Sequence, residues 1–211
     1  MWINQKEYWL NFAQTAQKDD LCKDLHGSWD EEKQEYTNHA PIPEECVQIL
    51  KSETSMTNVL DFGVGMGRNS NYLKSLYKNY LGYDTPPMLK NLTERKVLSP
   101  NEFLYKFEEI EKLKLDLVYE SVVMQHMPPQ EVIYVLNRIS HNSPYLFSCT
   151  RSYNDYLRDF QKEKYGVNMA LLRKAIDCFE PIYCSIPIEQ ACSLMNETEY
   201  NILYKSKNFN K

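Results

Sequence analysis

Beyond residue 57 the sequence alternates between short apolar runs and longer amphipathic stretches. The runs have the length and composition of strands, and the stretches between most of them have helical spacing. Strands that alternate with helices form βαβ units, so the pattern predicts a doubly wound, mostly parallel α/β sheet with an antiparallel C-terminal edge. The seven predicted strands cover residues 57–63, 79–84, 102–107, 114–124, 143–150, 179–187 and 199–206.

The length of 211 residues is typical of one domain, and the contents of 43% apolar and 25% charged residues are those of a globular protein. Residues 1–21 have the spacing of an amphipathic helix. We therefore expect a single domain over 1–211, with an N-terminal helical cap over 1–52 and a catalytic core over 53–208. The apolar runs are too short to span a membrane, and Glu7 interrupts any secretory signal, so a cytoplasmic protein is expected.

Charge and cysteine spacing argue against two further classes of site. The formal net charge is −5 and no basic stripe is present, which disfavours binding to nucleic acid. The six cysteines form no CxxC pair and have no histidine-rich neighbourhood, so no metal site is expected.

Three of the six glycines, Gly63, Gly65 and Gly67, fall within five positions at the end of the first predicted strand. Ligands of open α/β sheets bind at such strand ends, and glycine lets a ligand approach the bare backbone. A phosphate-binding Walker loop would need Lys and Ser or Thr where Arg68 and Asn69 stand, and the GxGxxG dinucleotide motif would need glycine at 68.

The segment 59–69, VLDFGVGMGRN, resembles motif I of the class I S-adenosylmethionine-dependent methyltransferases, whose common form is V-L-D-x-G-C-G-x-G-x-N. The resemblance implies a Rossmann-like fold and S-adenosylmethionine as the cofactor. It also implies that the three glycines leave room for the cofactor and that Asp61 lies near its sulfonium.

The segment 81–89, LGYDTPPML, continues the resemblance after the second strand. In the family an acid at the position of Asp84 accepts hydrogen bonds from both ribose hydroxyls, next to Thr85, and an apolar residue such as Met88 packs on the adenine. An ordinary helix N-cap is the alternative role of Asp84. Phe107 and Glu108 fall where the family's third strand meets the adenine.

The segment 115–128 resembles the family's fourth-strand region, D-L-V-x-x-x-x-V-x-x-H-x-P. The resemblance places Glu120 at the cofactor and His126 in the active-site segment, where an imidazole could act as a general base. A purely structural role of His126 stays open. The sequence Glu-Ser-Val-Val stands where enzymes that methylate adenine or glutamine amides have Asn-Pro-Pro-Tyr, which argues against that group.

Five further side chains are candidates for binding the methyl acceptor: Trp29, Tyr36, His39, Arg151 and Tyr153. The aromatic residues would wall a pocket and Arg151 would hold an anionic group. The alternatives are that the tryptophans only pack the N-terminal segment down and that Arg151 is a solvated surface residue.

These residues predict a methyltransferase that acts on a small-molecule or glycan acceptor, at oxygen. Three other functions stay open: a protein methyltransferase, a catalytically inactive cofactor-binding regulatory subunit, and a nicotinamide dehydrogenase with a degenerate turn. The sequence does not predict the oligomeric state.

Overall fold

The computed structural model describes residues 29–30, 35–36, 41–124, 127, 129–152, 176–186 and 198–209. The expected helix over 1–21 lies outside the described residues, as do the site candidates His39, His126 and Tyr153.

Two sheets are present in the described part of the chain. A two-stranded antiparallel pair joins β1 to β2, and a six-stranded sheet has the order β4-β3-β5-β6-β8-β7. Strands β3 to β6 are mutually parallel, whereas β8 is antiparallel to both β6 and β7. The strands are β1 (Trp29–Asp30), β2 (Glu35–Tyr36), β3 (Asn58–Phe62), β4 (Asn79–Tyr83), β5 (Leu117–Ser121), β6 (Tyr145–Ser152), β7 (Phe179–Cys184) and β8 (Thr198–Ser206).

Four α-helices are described: α1 (Glu44–Glu53), α2 (Ser70–Leu76), α3 (Pro86–Glu94) and α4 (Pro129–Asn142). Helix α3 begins directly after Thr85 with two prolines, whose fixed φ suits the first turn of a helix. Because α2 and α3 each connect parallel strands, the chain returns to the same edge of the sheet after every helix.

Alternate residues of each central strand lie on opposite faces of the sheet. In β3, Val59 belongs to the cluster that includes buried side chains of α1, α2 and α3, whereas Leu60 belongs to the cluster with α4. In β5, Leu117 and Val118 divide in the same way. Both faces are therefore covered, which is the doubly wound arrangement that the sequence predicts.

The sheet has six strands in the described residues, where the sequence pattern predicts seven. The expected strand over 102–107 is reduced to one parallel bridge between Phe103 and Gly82. A 3-10 turn over Pro100–Glu102, closed by a reciprocal cap between Ser99 and Glu102, ends just before this bridge. A second 3-10 segment begins at Phe107, so only four residues remain for an extended strand.

Helix α4 offers a matched pair of isoleucines for testing the core. Ile139 is 0% exposed and Ile133 is 45% exposed. We expect Ile139→Ala to lower the free energy of unfolding by about 2–4 kcal/mol, because it leaves a cavity against the sheet. Ile133→Ala should change it by less than about 1 kcal/mol. Urea unfolding measures both, and equal losses would contradict this packing.

Candidate functional site

The carboxyl ends of β4, β3 and β5 lie side by side at one edge of the sheet, because these strands are neighbours and parallel. Asp84 follows β4, the glycine turn over residues 63–67 follows β3, and Ser121 is the last residue of β5. This edge is where an open α/β sheet binds its ligand.

Backbone hydrogen bonds hold the glycine turn against the end of β4. The N–H groups of Gly63 and Val64 both donate to the Tyr83 carbonyl, at 2.8 and 3.1 Å. The N–H of Gly67 donates to the Val64 carbonyl at 2.9 Å, and the Ser70 hydroxyl donates to the Gly67 carbonyl at 2.7 Å. The turn is therefore fixed at both its start and its end.

The three glycines of the turn have positive φ angles of 79°, 52° and 80°. A Cβ on Gly63 would lie 2.2 Å from a methyl group of Val123, and a Cβ on Gly67 would lie 2.7 Å from a methyl group of Val97. A Cβ on Gly65 would have nothing nearer than a backbone oxygen at 4.0 Å. Gly63 and Gly67 thus admit close packing of the protein itself, and Gly65 faces open space where a ligand could lie.

Asp84 is joined directly to the glycine turn. Its Oδ2 accepts a hydrogen bond from the Gly65 N–H at 2.8 Å, and its Oδ1 accepts one from the Thr85 N–H at 2.6 Å. Burial raises the pKa of the Asp84 carboxyl, although these two hydrogen bonds and a third from the Thr85 side chain oppose the shift. The carboxylate of this half-buried side chain keeps capacity for a further donor. The N–H of Thr85 serves the acid, while the residue itself precedes α3.

Asp61 lies inside the protein and is 2% exposed. Its Oδ2 accepts a hydrogen bond from the Tyr80 hydroxyl at 2.9 Å. Burial raises the pKa of Asp61 to about 7, and the Asp84 charge adds to the rise while the Arg68 charge opposes it. Its expected place near a sulfonium stays a prediction.

Glu120 is also completely buried, on the opposite face of the sheet from Asp61. Its Oε2 accepts hydrogen bonds from the N–H groups of Val123 at 3.1 Å and Met124 at 3.4 Å, and its Oε1 accepts one from the Ser148 hydroxyl. Burial raises the pKa of Glu120 to about 7. A direct contact of Glu120 with a cofactor stays a prediction.

Three aromatic rings meet near the ends of β3 and β4. The Phe62 and Tyr83 rings are stacked with centroids 5.5 Å apart, and Phe107 lies 5.5 Å from each of them. Of the residues that the sequence assigns to the adenine, Phe107 and Met88 are buried, at 6% and 4% exposed. The third, Glu108, is exposed beside Phe107.

The other candidates are less completely placed. Trp29 and Tyr36 are direct partners in the β1–β2 pair, and Arg151 lies in β6 opposite Glu199. Within the described residues, no three metal-ligating side chains lie together. None of the helices in that part of the chain has the length and apolar character of a membrane span.

The structure adds residues that the sequence interpretation missed. The Arg68 Nη2 donates to the Ser121 hydroxyl at 3.2 Å, so a guanidinium spans from the glycine turn to the end of β5. Val122 has a φ of 63°. Arg68 stands inside the glycine motif and could have been selected on that ground. A left-handed valine has no signature in the sequence.

Comparison with solved structures shows several methyltransferases of similar architecture. The magnesium protoporphyrin IX methyltransferase ChlM from Synechocystis, with bound S-adenosylmethionine, is 14% identical with a TM-score of 0.58, over 96% of this chain and 97% of that one. A S-adenosylmethionine-dependent methyltransferase from Clostridium acetobutylicum is 13% identical with a TM-score of 0.57, over 77% of this chain and 87% of that one. The chain has the class I methyltransferase fold.

The N-methyltransferase NodS from Bradyrhizobium japonicum, in complex with S-adenosylhomocysteine, has the same fold. It is 11% identical with a TM-score of 0.53, over 90% of this chain and 97% of that one. No protein-family model matches the chain, and no curated protein sequence matches it. The likeness is therefore one of fold, and the Rossmann-like architecture expected from the sequence is confirmed.

Gly63 packs against Val123 whereas Gly65 faces open space, so alanine variants at the two positions should differ in stability. Both Gly63→Ala and Gly65→Ala force a left-handed alanine, at a cost of about 1–2 kcal/mol. Gly63→Ala must also displace Val123, so we expect the larger loss of unfolding free energy for this variant. Urea unfolding of the two variants decides, and a larger loss for Gly65→Ala would contradict the packing described.

The raised pKa of Glu120 predicts a pH-dependent stability difference. The pKa of about 7 lies above that of an unfolded glutamate, so ionisation with rising pH lowers the stability of the folded protein. Glu120→Gln keeps an acceptor oxygen and does not titrate. Its melting temperature relative to wild type should rise by a few degrees between about pH 4 and about pH 8. Thermal unfolding across this range measures the difference, and a constant difference would contradict the shift.

Proposed function

We propose that the protein is an S-adenosylmethionine-dependent methyltransferase. The observation that carries this proposal is the joined pair of Gly65 and Asp84: a glycine that faces open space, with its N–H bonded to a half-buried carboxylate. A carboxylate has about four acceptor sites, and the described hydrogen bonds from Gly65 and Thr85 leave capacity on the half-buried Asp84 for a donor such as a ribose hydroxyl. The residues present therefore fit a nucleoside cofactor.

The cofactor supplies an electrophilic methyl group bound to a sulfonium sulfur. The chain's own residues would bind and orient it. Gly65 admits the ligand to the backbone, and Asp84 holds the sugar. Because β3 lies between β4 and β5, a ligand held by Asp84 after β4 would extend across the glycine turn after β3 towards Arg68 and Ser121 at the end of β5. In this arrangement the end of β5 is the place where the acceptor approaches.

We propose a small-molecule or glycan acceptor that is methylated at oxygen. The acidic composition and the absence of Asn-Pro-Pro-Tyr after residue 119 support this choice. An oxygen acceptor must lose a proton, and His126 is the proposed base. Trp29, Tyr36, His39, Arg151 and Tyr153 are the proposed acceptor-binding residues.

The solved neighbours do not select the acceptor. One is named for a magnesium protoporphyrin and another for N-methyl transfer, so the same fold serves different acceptors. The acceptor class proposed here rests on this chain's own residues. A cytoplasmic location stays a proposal from the sequence.

Isothermal titration calorimetry with S-adenosylhomocysteine tests the cofactor site. We expect the wild-type protein to bind it and Asp84→Asn to bind it about 10- to 100-fold more weakly, because the amide loses a charge-assisted hydrogen bond to the sugar. Asp116→Asn is the matched control. Asp116 also accepts backbone hydrogen bonds, from Thr57 and Asn58 at 2.7 and 2.8 Å, but it precedes β5 at the opposite edge of the sheet.

The outcomes separate the possible functions. A wild-type protein that does not bind S-adenosylhomocysteine would refute the proposal, and binding of NADH instead would favour the dehydrogenase. Binding without methyl transfer to any acceptor would indicate an inactive regulatory subunit. Transfer to intact proteins but not to small molecules would indicate a protein methyltransferase.

A further inference from the structure

A short loop after β5 lies directly on the glycine turn. We name residues Val122–Met124 the β5 loop. Two methyl carbons of Val123 lie only 2.2 and 2.7 Å from the position that a Cβ on Gly63 would occupy. Any side chain at position 63 would therefore displace the loop. The Val123 side chain packs directly on the backbone of Gly63. The β5 loop and the glycine turn form one packed unit.

Glu120 fixes the position of the β5 loop through hydrogen bonds to its backbone. One of its carboxylate oxygens accepts hydrogen bonds from the N–H groups of Val123 and Met124, and the other accepts the Ser148 hydroxyl on the neighbouring strand β6. The loop is also anchored by the Val122 N–H, which donates to the Cys149 carbonyl at 2.7 Å. The N–H groups of Val123 and Met124 and the hydroxyl of Ser148 thus all donate to the one buried carboxylate of Glu120.

Two features of this arrangement lower the stability of the folded protein. Glu120 is 0% exposed, and within the described residues no basic side chain forms an ion pair with it. A buried carboxylate without a cation carries a large desolvation cost. Val122 adds a left-handed backbone, with φ of 63°, in a β-branched residue that rarely adopts it. Two unfavourable features at one strand end, beside a ligand-binding turn, point to a functional constraint.

We propose that Glu120 is a positioning residue: through the β5 loop it holds Val123 on Gly63 and so keeps the glycine turn in the shape that receives the cofactor. This inference rests on the proposed function, because it concerns the same cofactor. This role requires no contact between Glu120 and the ligand. It acts through the hydrogen bonds to the two loop N–H groups, so its acceptor oxygens matter and its negative charge does not.

The proposal distinguishes substitutions by their hydrogen-bonding capacity. In Glu120→Gln the amide oxygen can accept the two loop N–H groups, and its NH2 can donate to a rotated Ser148 hydroxyl. In Glu120→Ala all three donors lose their partner and the loop is released. Val123→Ala keeps every hydrogen bond but removes the side chain that covers Gly63.

The experiment measures two quantities for each variant: the dissociation constant for S-adenosylhomocysteine by calorimetry, and the melting temperature. Ile139→Ala is the matched control, since this buried residue of α4 contributes to the core on the same face as Glu120 and is not among the side chains nearest to the glycines of the turn. We expect Glu120→Ala to bind about tenfold more weakly and Val123→Ala several-fold more weakly. Glu120→Gln should bind within about twofold of wild type, and Ile139→Ala should bind normally despite its lower melting temperature.

Each contrary outcome overturns the proposal. If Glu120→Ala binds like wild type, the residue serves stability only. If Glu120→Gln binds as weakly as Glu120→Ala, the charge itself is required. Weakened binding by Ile139→Ala would mean that any loss of stability affects the site. If Glu120→Ala does not fold, Val123→Ala provides the test. Normal binding by Val123→Ala would refute the proposal that the packing of Val123 on Gly63 maintains the glycine turn. Failure of the proposed function is separate, because the wild-type protein would then not bind at all.

Discussion

The hydrogen bonds between the end of β4 and the turn after β3 are the interaction on which the candidate site depends. The Tyr83 carbonyl accepts two N–H groups from the start of the turn, and the next residue, Asp84, accepts a third from Gly65. Since β3 and β4 are parallel neighbours, this contact joins two strand ends that lie 21 residues apart along the chain between Phe62 and Tyr83. It places an acid beside open backbone.

The sequence predicted the central strands closely because their apolar runs are bounded by clear breaks. The predicted runs over 57–63 and 79–84 became Asn58–Phe62 and Asn79–Tyr83. The strand predicted over 102–107 was wrong beyond its single bridge, because apolar content in EFLYKF does not reveal the 3-10 turns on either side. The antiparallel pairing of the two last strands was confirmed, and the insertion of β8 between β6 and β7 is a tertiary property that no local pattern records.

For the site, the sequence selected the glycines and Asp84 as candidates, but it could not tell which glycine packs against the protein and which one faces open space. The distinction between Gly65 and Gly63 depends on Val123, which stands 60 positions later in the chain. Burial of Asp61 and Glu120 on opposite faces of the sheet likewise follows from the alternation of strand residues combined with the helices that cover them. Two buried acids with pKa values raised to about 7 thus lie next to the site. Asp61 is in β3, just before the glycine turn, and Glu120 is in β5, just before the β5 loop.

The outermost strand of the described sheet, β7, limits how the molecule could associate. Pro181 lies within this strand and has no N–H to offer an incoming strand, and the register with β8 shifts between Pro181 and Tyr183. Both features blunt the row of backbone donors that would recruit a second chain. Growth of a continuous sheet across two molecules is therefore disfavoured at this margin of the described sheet.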